Sequence, residues 1–231
     1  MMTAALAQGC DQGSGTGGAL VPLEVRAALV AGEPGAPNAA GWAVQIEEAT
    51  LRVHGVYLFE EPPPLVARGL WERGAGLWIR EAHAHPGHGH FNGGQVLAEV
   101  LEPMELELGE PAWAARIIGI EGEARSMTLQ LSPDAAGAVA RVRGVARRGE
   151  EEVRFEGGLT LREAQRSVEG ISAVAPVRRG EVLMLQIDAS RWLEDADFEG
   201  MERLDEESQP MAAWQLGVRR GAAFKLSPQQ R

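Results

Sequence analysis

The chain has one cysteine, Cys10, among 231 residues. A single cysteine cannot build a disulfide framework within the chain, nor supply the thiolates of a structural zinc site. There is also no run of 18 or more apolar residues, so no stretch reads as a membrane-spanning helix. Apolar residues still make up 45% of the chain, which is enough to build a packed core.

Basic residues are outnumbered, with 22 Lys plus Arg against 33 Asp plus Glu, for a formal net charge of −11. No basic stripe is interleaved with aromatic residues. Because an acidic surface repels phosphate backbones, the sequence predicts no nucleic-acid partner. It also contains no GxSxG, HExxH, Walker-type or strand-associated GxGxxG motif, so we identify no catalytic or organic-cofactor-binding residue.

Alternating apolar and polar residues indicate strands. In residues 21–30 Leu23, Val25 and Ala27 alternate with polar or small neighbours, and residues 41–59 alternate with a phase change near Glu47 and Glu48. Such a change is typical of a bulge or of a tight connection between two strands. With roughly nine to eleven strands and no βαβ rhythm, the pattern predicts an all-β fold, an antiparallel β-sandwich.

The predicted sandwich is a single domain over residues 20–231, and it includes a short helical segment near 190–200. Ser190 stands where a helix N-cap belongs, with acidic residues following it. A final strand pair is predicted at AAWQLGV, residues 212–218, and AAFKL, residues 222–226.

Residues 1–19 are predicted to form a disordered tail, since Gly, Ser and Gln dominate them. Small apolar residues lead to Gly9 and Cys10, and a Gly/Ser/Thr tether follows. This arrangement is typical of the end of a bacterial lipoprotein signal, in which the cysteine is lipidated. We therefore expect an exported protein, periplasmic or outer-membrane-associated, that is anchored to the membrane through Cys10.

Four of the five histidines lie within EAHAHPGHGHF, residues 81–91. Residues two apart on an extended segment share a face, so the first two histidines point one way and so do the last two. Pro86 and Gly87 suit the central positions of a type II turn, which would bring the two pairs together. The spacing therefore predicts a metal site formed by His83, His85, His88 and His90.

Imidazole ligands without thiolates suit copper, and alternatively zinc or nickel, with copper first at equal availability. His54, on a predicted strand, is a candidate fifth ligand. Glu81 and Glu99 are candidates to orient the imidazole rings.

The stretches GWAVQIEEATLRVHGVYLF, AHAHPGHGHFNGGQVLAE, DASRWLEDADFEGM and WQLGV resemble exported, often lipid-anchored β-sandwich proteins. The chain is similar to the copper-binding periplasmic proteins associated with methanobactin systems and to their myxobacterial lipoprotein relatives. This resemblance implies copper capture outside the cytoplasm without substrate turnover, and it assigns no residue roles.

The leading hypothesis is thus an exported metal-binding protein that captures copper through the histidine-rich loop. Two alternatives stay open. One is a surface interaction module whose histidines are incidental or sense pH. The other is a mononuclear copper or zinc enzyme whose metal keeps an open coordination position.

Overall fold

A computed structural model describes residues 18–32, 36–63, 94–201 and 204–229. Within these ranges the chain folds into eleven strands and one α-helix, joined by turns and short 3₁₀ segments. The strands are β1 (Leu20–Val30), β2 (Ala43–Phe59), β3 (Val96–Val100), β4 (Met104–Glu107), β5 (Trp113–Ile120), β6 (Gly122–Leu131), β7 (Ala138–Arg148), β8 (Glu151–Thr160), β9 (Ser167–Val177), β10 (Val182–Asp188) and β11 (Phe224–Pro228). The helix is α1 (Gln209–Gly217).

The strands form two sheets around one core, so the all-β, sandwich-like prediction is confirmed. The smaller sheet has the order β11-β10-β1-β5. The larger one has the order β8-β7-β2-β6-β9, with β3 and β4 paired to β2. Within the described ranges all named strand pairs are antiparallel except β1–β10. After β9, the turn at Arg178–Gly180 brings β10 into the smaller sheet alongside β1, where the two strands run the same way.

The predicted alternation in β1 is borne out. Leu23, Val25 and Ala27 point into the core at 3% exposure or less, while the residues between them face outward. Because the side-chain period of a strand is two, each inward residue packs between the sheets. The alternation of apolar residues was therefore sufficient to predict which face of β1 is buried.

The phase change in β2 is a bulge within one long strand, since the register with β7 shifts between Ile46 and Glu48. A second shift, between Val53 and Gly55 in the pairing with β6, was not predicted. It places Val56 and Leu58 in the core. Tyr57, between them, lies on the outer face and is half-buried.

The helical segment near residue 190 is a 3₁₀ turn, Ala189–Leu193, and its cap differs from the prediction. Asp188 is the N-cap, and its Oδ1 accepts hydrogen bonds from Ser190 N at 3.0 Å and Ser190 Oγ at 2.5 Å. Ser190 is therefore a donor to the cap. A carboxylate can accept several backbone and hydroxyl donors at once, which favours Asp at this position.

The prediction of a strand at residues 212–218 is wrong, because this stretch lies mainly in α1. Ser208 caps the helix by accepting from Met211 N at 3.3 Å, and Pro210 stands in its first turn. Gly217 lets α1 approach closely: a Cβ there would lie 2.1 Å from Trp192 O. The strand predicted at residues 222–226 is confirmed in part by β11. No helix in the described ranges is long and apolar enough to cross a bilayer.

Candidate metal site at the end of the β2–β3 hairpin

The predicted ligands His83, His85, His88 and His90 lie in residues 64–93, outside the described residues, and so does Glu81. The fold does describe the two chain segments that lead into and out of this stretch. These are the end of β2 with residues 60–63, and residues 94–95 with the start of β3.

The two flanking segments are held together at one end of the larger sheet. Phe59 is the register partner of Val96. Beyond this pair, Glu60 N donates to Gln95 O at 3.0 Å. The two ends of the stretch that contains the histidines are therefore neighbours in space, and this stretch connects two paired strands.

The flanks are also packed tightly. Gly94 adopts φ +73°, and a Cβ at this residue would lie 2.7 Å from Glu61 Cγ. Since left-handed backbone favours glycine, both the conformation and the close approach explain this residue. On the other flank, a Cβ at Gly170 of β9 would lie 3.7 Å from Pro63 Cβ. Residues 60–63 therefore cross the outer face of the sheet toward β9.

Two polar residues of β6 are buried on this outer face. Ser126 is fully buried and Thr128 is 6% exposed. Ser126 Oγ donates to Glu61 O at 2.6 Å, which ties the flank to β6. Thr128 Oγ1 has no hydrogen-bond partner within the part of the chain that the structure describes.

Ser126 and Thr128 were missed by sequence reasoning. The stretch SMTLQL reads as a strand whose polar residues face water, and nothing local indicates that they are buried. The only available signal is EEPPP, residues 60–64, because consecutive prolines stiffen a segment enough for it to lie across a sheet.

His54, the fifth predicted ligand, lies at the second bulge of β2 with an exposed side chain. It precedes Phe59 by five residues, which is roughly 17 Å along a strand. Glu99 is exposed on β3 and pairs with Tyr57, so it is not opposite His54. Among the described residues no three His, Cys, Asp or Glu side chains are grouped closely enough to hold a metal ion. A ligand role for His54 stays a prediction.

A second polar region lies at the opposite edge of the larger sheet, around the buried Trp42. Its indole Nε1 donates to Asp197 Oδ1 at 2.9 Å, and the Arg148 guanidinium stacks on the ring at 4.4 Å. The hydrogen bond from Trp42, followed by that from Glu199 N and the charge of Arg148, lowers the pKa of Asp197.

A cavity of about 320 Å³ lies beside this region and is lined by Asp197, Glu199, Asp205 and Glu207, among others. Arg148 already neutralises part of this charge, because its guanidinium lies 2.9 Å from Glu199 and 3.9 Å from Asp197. Through these ion pairs Asp197 and Glu199 connect the loop after the 3₁₀ turn to β7. The arrangement is structural.

Comparison of the chain with protein-family models, curated proteins and solved structures finds no match. The fold and its geometry therefore define the class, an all-β protein of two packed sheets with a histidine-rich connection between β2 and β3. The resemblance to copper-binding periplasmic proteins stays a prediction.

Proposed function

We propose that this protein is an exported binding protein that captures a transition metal, copper in the first place, through His83, His85, His88 and His90. The observation that carries the proposal is the concentration of four of the five histidines in eight residues, at same-face spacing around Pro86 and Gly87. Neutral imidazole is a good ligand for copper, zinc and nickel.

The surroundings of the histidine stretch support this reading. The flanks are fixed by the Glu60–Gln95 and Ser126–Glu61 hydrogen bonds, so the stretch is attached at both ends to a packed sheet. Such attachment lowers the conformational entropy that a loop loses when it closes around an ion. The net charge of −11 also favours the approach of cations.

The choice of copper follows from the donor set. With imidazole nitrogens and no thiolates, copper binds more tightly than zinc or nickel at equal availability. Capture outside the cytoplasm accords with the lipoprotein-like setting of Cys10. No catalytic motif accompanies the histidines, so binding without turnover is the simplest function.

The test is equilibrium dialysis of the untagged protein against equal amounts of Cu(II), Zn(II) and Ni(II), followed by elemental analysis. We expect close to one equivalent of copper. Replacement of His83, His85, His88 and His90 by alanine should lower copper affinity at least about a hundredfold, since all proposed ligands are lost. Equal copper uptake by this variant would overturn the proposal.

His54→Ala serves as the matched variant, because it removes an exposed histidine outside the stretch. Unchanged copper affinity would limit the site to the four loop histidines, whereas a loss of about tenfold or more would add His54 as a ligand. Indiscriminate uptake of all three metals at less than one equivalent would instead favour the interaction-module alternative.

A further inference from the structure

The outer face of the smaller sheet carries an apolar patch where β1 begins and β5 ends. We call Leu20, Pro22, Ile118 and Ile120 the β1–β5 patch. Register pairs Leu20 with Ile120, and Pro22 with Ile118, so the four side chains lie next to one another on one face. Leu20 is 69% and Ile118 60% exposed; Pro22 is exposed too, whereas Ile120 is half-buried and packs against the core. Folding usually buries large apolar side chains. A contiguous patch of them that stays exposed to solvent therefore indicates a surface that contacts another molecule or a membrane.

Arginines surround the β1–β5 patch. Arg116 lies on β5, one outward position from Ile118, and Arg178 and Arg179 form the turn whose Gly180 N donates to Pro22 O at 2.8 Å. All three arginines are exposed. None has a salt bridge among the described residues, whereas all four arginines of β7 do.

The carboxylates near the patch do not cancel this charge. Glu24 is already paired with Arg26 at 2.6 Å, which leaves Glu121 and Glu181 at the rim. The region thus has at least as many arginines as carboxylates, on a chain whose net charge is −11. An apolar centre with a cationic rim is the arrangement by which peripheral proteins bind anionic lipid surfaces, because arginine extends its charge to the headgroups.

The chain enters the fold beside this patch. Ala19 O accepts from Glu121 N at 2.8 Å, which fixes the first described residues along the end of β5. Cys10 precedes Gly18 by eight residues, a span of at most about 28 Å. A lipid on Cys10 would therefore keep this end of the sandwich near the bilayer.

We propose that the β1–β5 patch, with Arg116, Arg178 and Arg179, is a membrane-contact surface that binds anionic phospholipid. The proposal rests on the anchoring expected at Cys10 and is independent of metal capture, since no patch residue belongs to the histidine stretch. In the anchored protein this contact would orient the sandwich on the bilayer.

The test uses the full chain with Cys10→Ser, so that no tether contributes, and flotation with two kinds of vesicle. One contains phosphatidylglycerol and phosphatidylethanolamine, and the other phosphatidylcholine alone. We expect about tenfold more binding to the anionic vesicles, and about a tenfold loss of that binding in Leu20→Ser/Ile118→Ser. Arg178→Gln/Arg179→Gln should lower binding to the anionic vesicles only.

Two matched variants replace exposed apolar residues elsewhere: Val174→Ser on β9, which is 66% exposed, and Leu216→Ser on α1, which is 62% exposed. Both should bind vesicles as the parent does. Absence of vesicle binding by the parent, or equal binding by the patch variant, would overturn the proposal. So would a dimer in light scattering that the patch variant dissociates, because the patch would then contact a second copy.

Copper dialysis of the same patch variant separates the two proposals. Normal copper uptake with lost vesicle binding supports membrane contact whatever the histidine variants show. Normal vesicle binding by the histidine variant, without copper uptake, supports both proposals.

Discussion

The outer face of the larger sheet is exposed to solvent on one half and partly covered on the other. On the β7–β8 half, the outward residues are charged and exposed and are joined by ion pairs such as Arg141–Asp134 at 2.6 Å and Arg147–Glu152 at 3.0 Å. On the β6–β9 half, Ser126 and Thr128 are buried. Ser126 lies beneath the segment that leads toward the histidine stretch, and Thr128 lies opposite Tyr57 of β2. The first half is a solvated surface, and the second carries residues 60–63, which lead toward the predicted metal ligands.

This difference shows where the sheet supports another segment. Exposed ion pairs contribute little to stability, so the β7–β8 face requires no cover and indicates no ligand. A buried hydroxyl has to be bonded or it costs free energy. Ser126 of β6 is therefore informative, because its buried hydroxyl is bonded to the segment that crosses it.

The largest change in the free energy of unfolding is expected from a substitution in the core of the β7–β8 half. A Cβ at Gly144 would lie 2.2 Å from Gln45 O and 2.8 Å from Phe155 Cζ, and the first of these is backbone. Gly144→Ala should lower the free energy of unfolding by about 2–4 kcal/mol, as overpacking does. Chemical denaturation measures this.

Gly158→Ala on the adjacent strand is the control. A Cβ at residue 158 would have Ala138 Cβ as its nearest atom, at 3.3 Å, apart from the residues next to it in the chain. It should cost less than 1 kcal/mol, roughly the range of a tolerated substitution. Equal costs for the two variants would contradict the close packing of β2, β7 and β8 at Gly144.

A smaller loss of stability is expected from a substitution on the β6–β9 half. Ser126→Ala removes the donor to Glu61 O and leaves this carbonyl of the crossing segment without its hydrogen bond. The free energy of unfolding should fall by about 1–2 kcal/mol. If the segment 60–63 positions the histidine stretch, copper affinity should fall as well; an unchanged unfolding curve would contradict the packing of this segment on β6.

Thr128→Val, two residues away from Ser126, should raise the free energy of unfolding, whereas Ser126→Ala lowers it. Its hydroxyl has no partner among the described residues, so replacing it by a methyl group of similar shape removes a desolvation cost. We expect a gain of about 0.5–1 kcal/mol, measured by the same denaturation. A loss of more than about 1 kcal/mol would show that the hydroxyl is hydrogen-bonded.

The smallest effect is confined to acid pH and concerns Asp134 in the turn before β7. Hydrogen bonds from the Arg141 side chain and Ala138 N hold the pKa of Asp134 below its ordinary value of 3.8. A lowered pKa stabilises the fold above 3.8, and this contribution is lost as pH falls through the folded-state value. Asp134→Asn should therefore flatten the acid limb of the stability curve, whereas an unchanged acid limb would exclude this role.

Much of the fold was predictable from periodicity. The inward residues of β1, the hairpin of β7 and β8 and the first bulge of β2 follow from alternation that one buried face imposes. The second bulge, at His54, was missed because Gly55 and Val56 are both small or apolar and hide the shift. Nothing in the alternation could reveal the parallel β1–β10 pair either, because pairing direction depends on long-range topology.

The error at α1 has a different origin. Ser208 and Pro210 are ordinary helix-start signals, but the apolar residues of AAWQLGV suit a strand as well as a helix. For the site, the histidine spacing was visible in the sequence, whereas the burial of Ser126 was not, since it involves a segment more than sixty residues away.

The most direct test of copper capture is electron paramagnetic resonance of the protein with one equivalent of Cu(II). The account predicts a single tetragonal species with hyperfine coupling to several imidazole nitrogens, abolished by alanine at His83, His85, His88 and His90. A mixture of species with oxygen ligands, or a spectrum that this variant leaves unchanged, would contradict it.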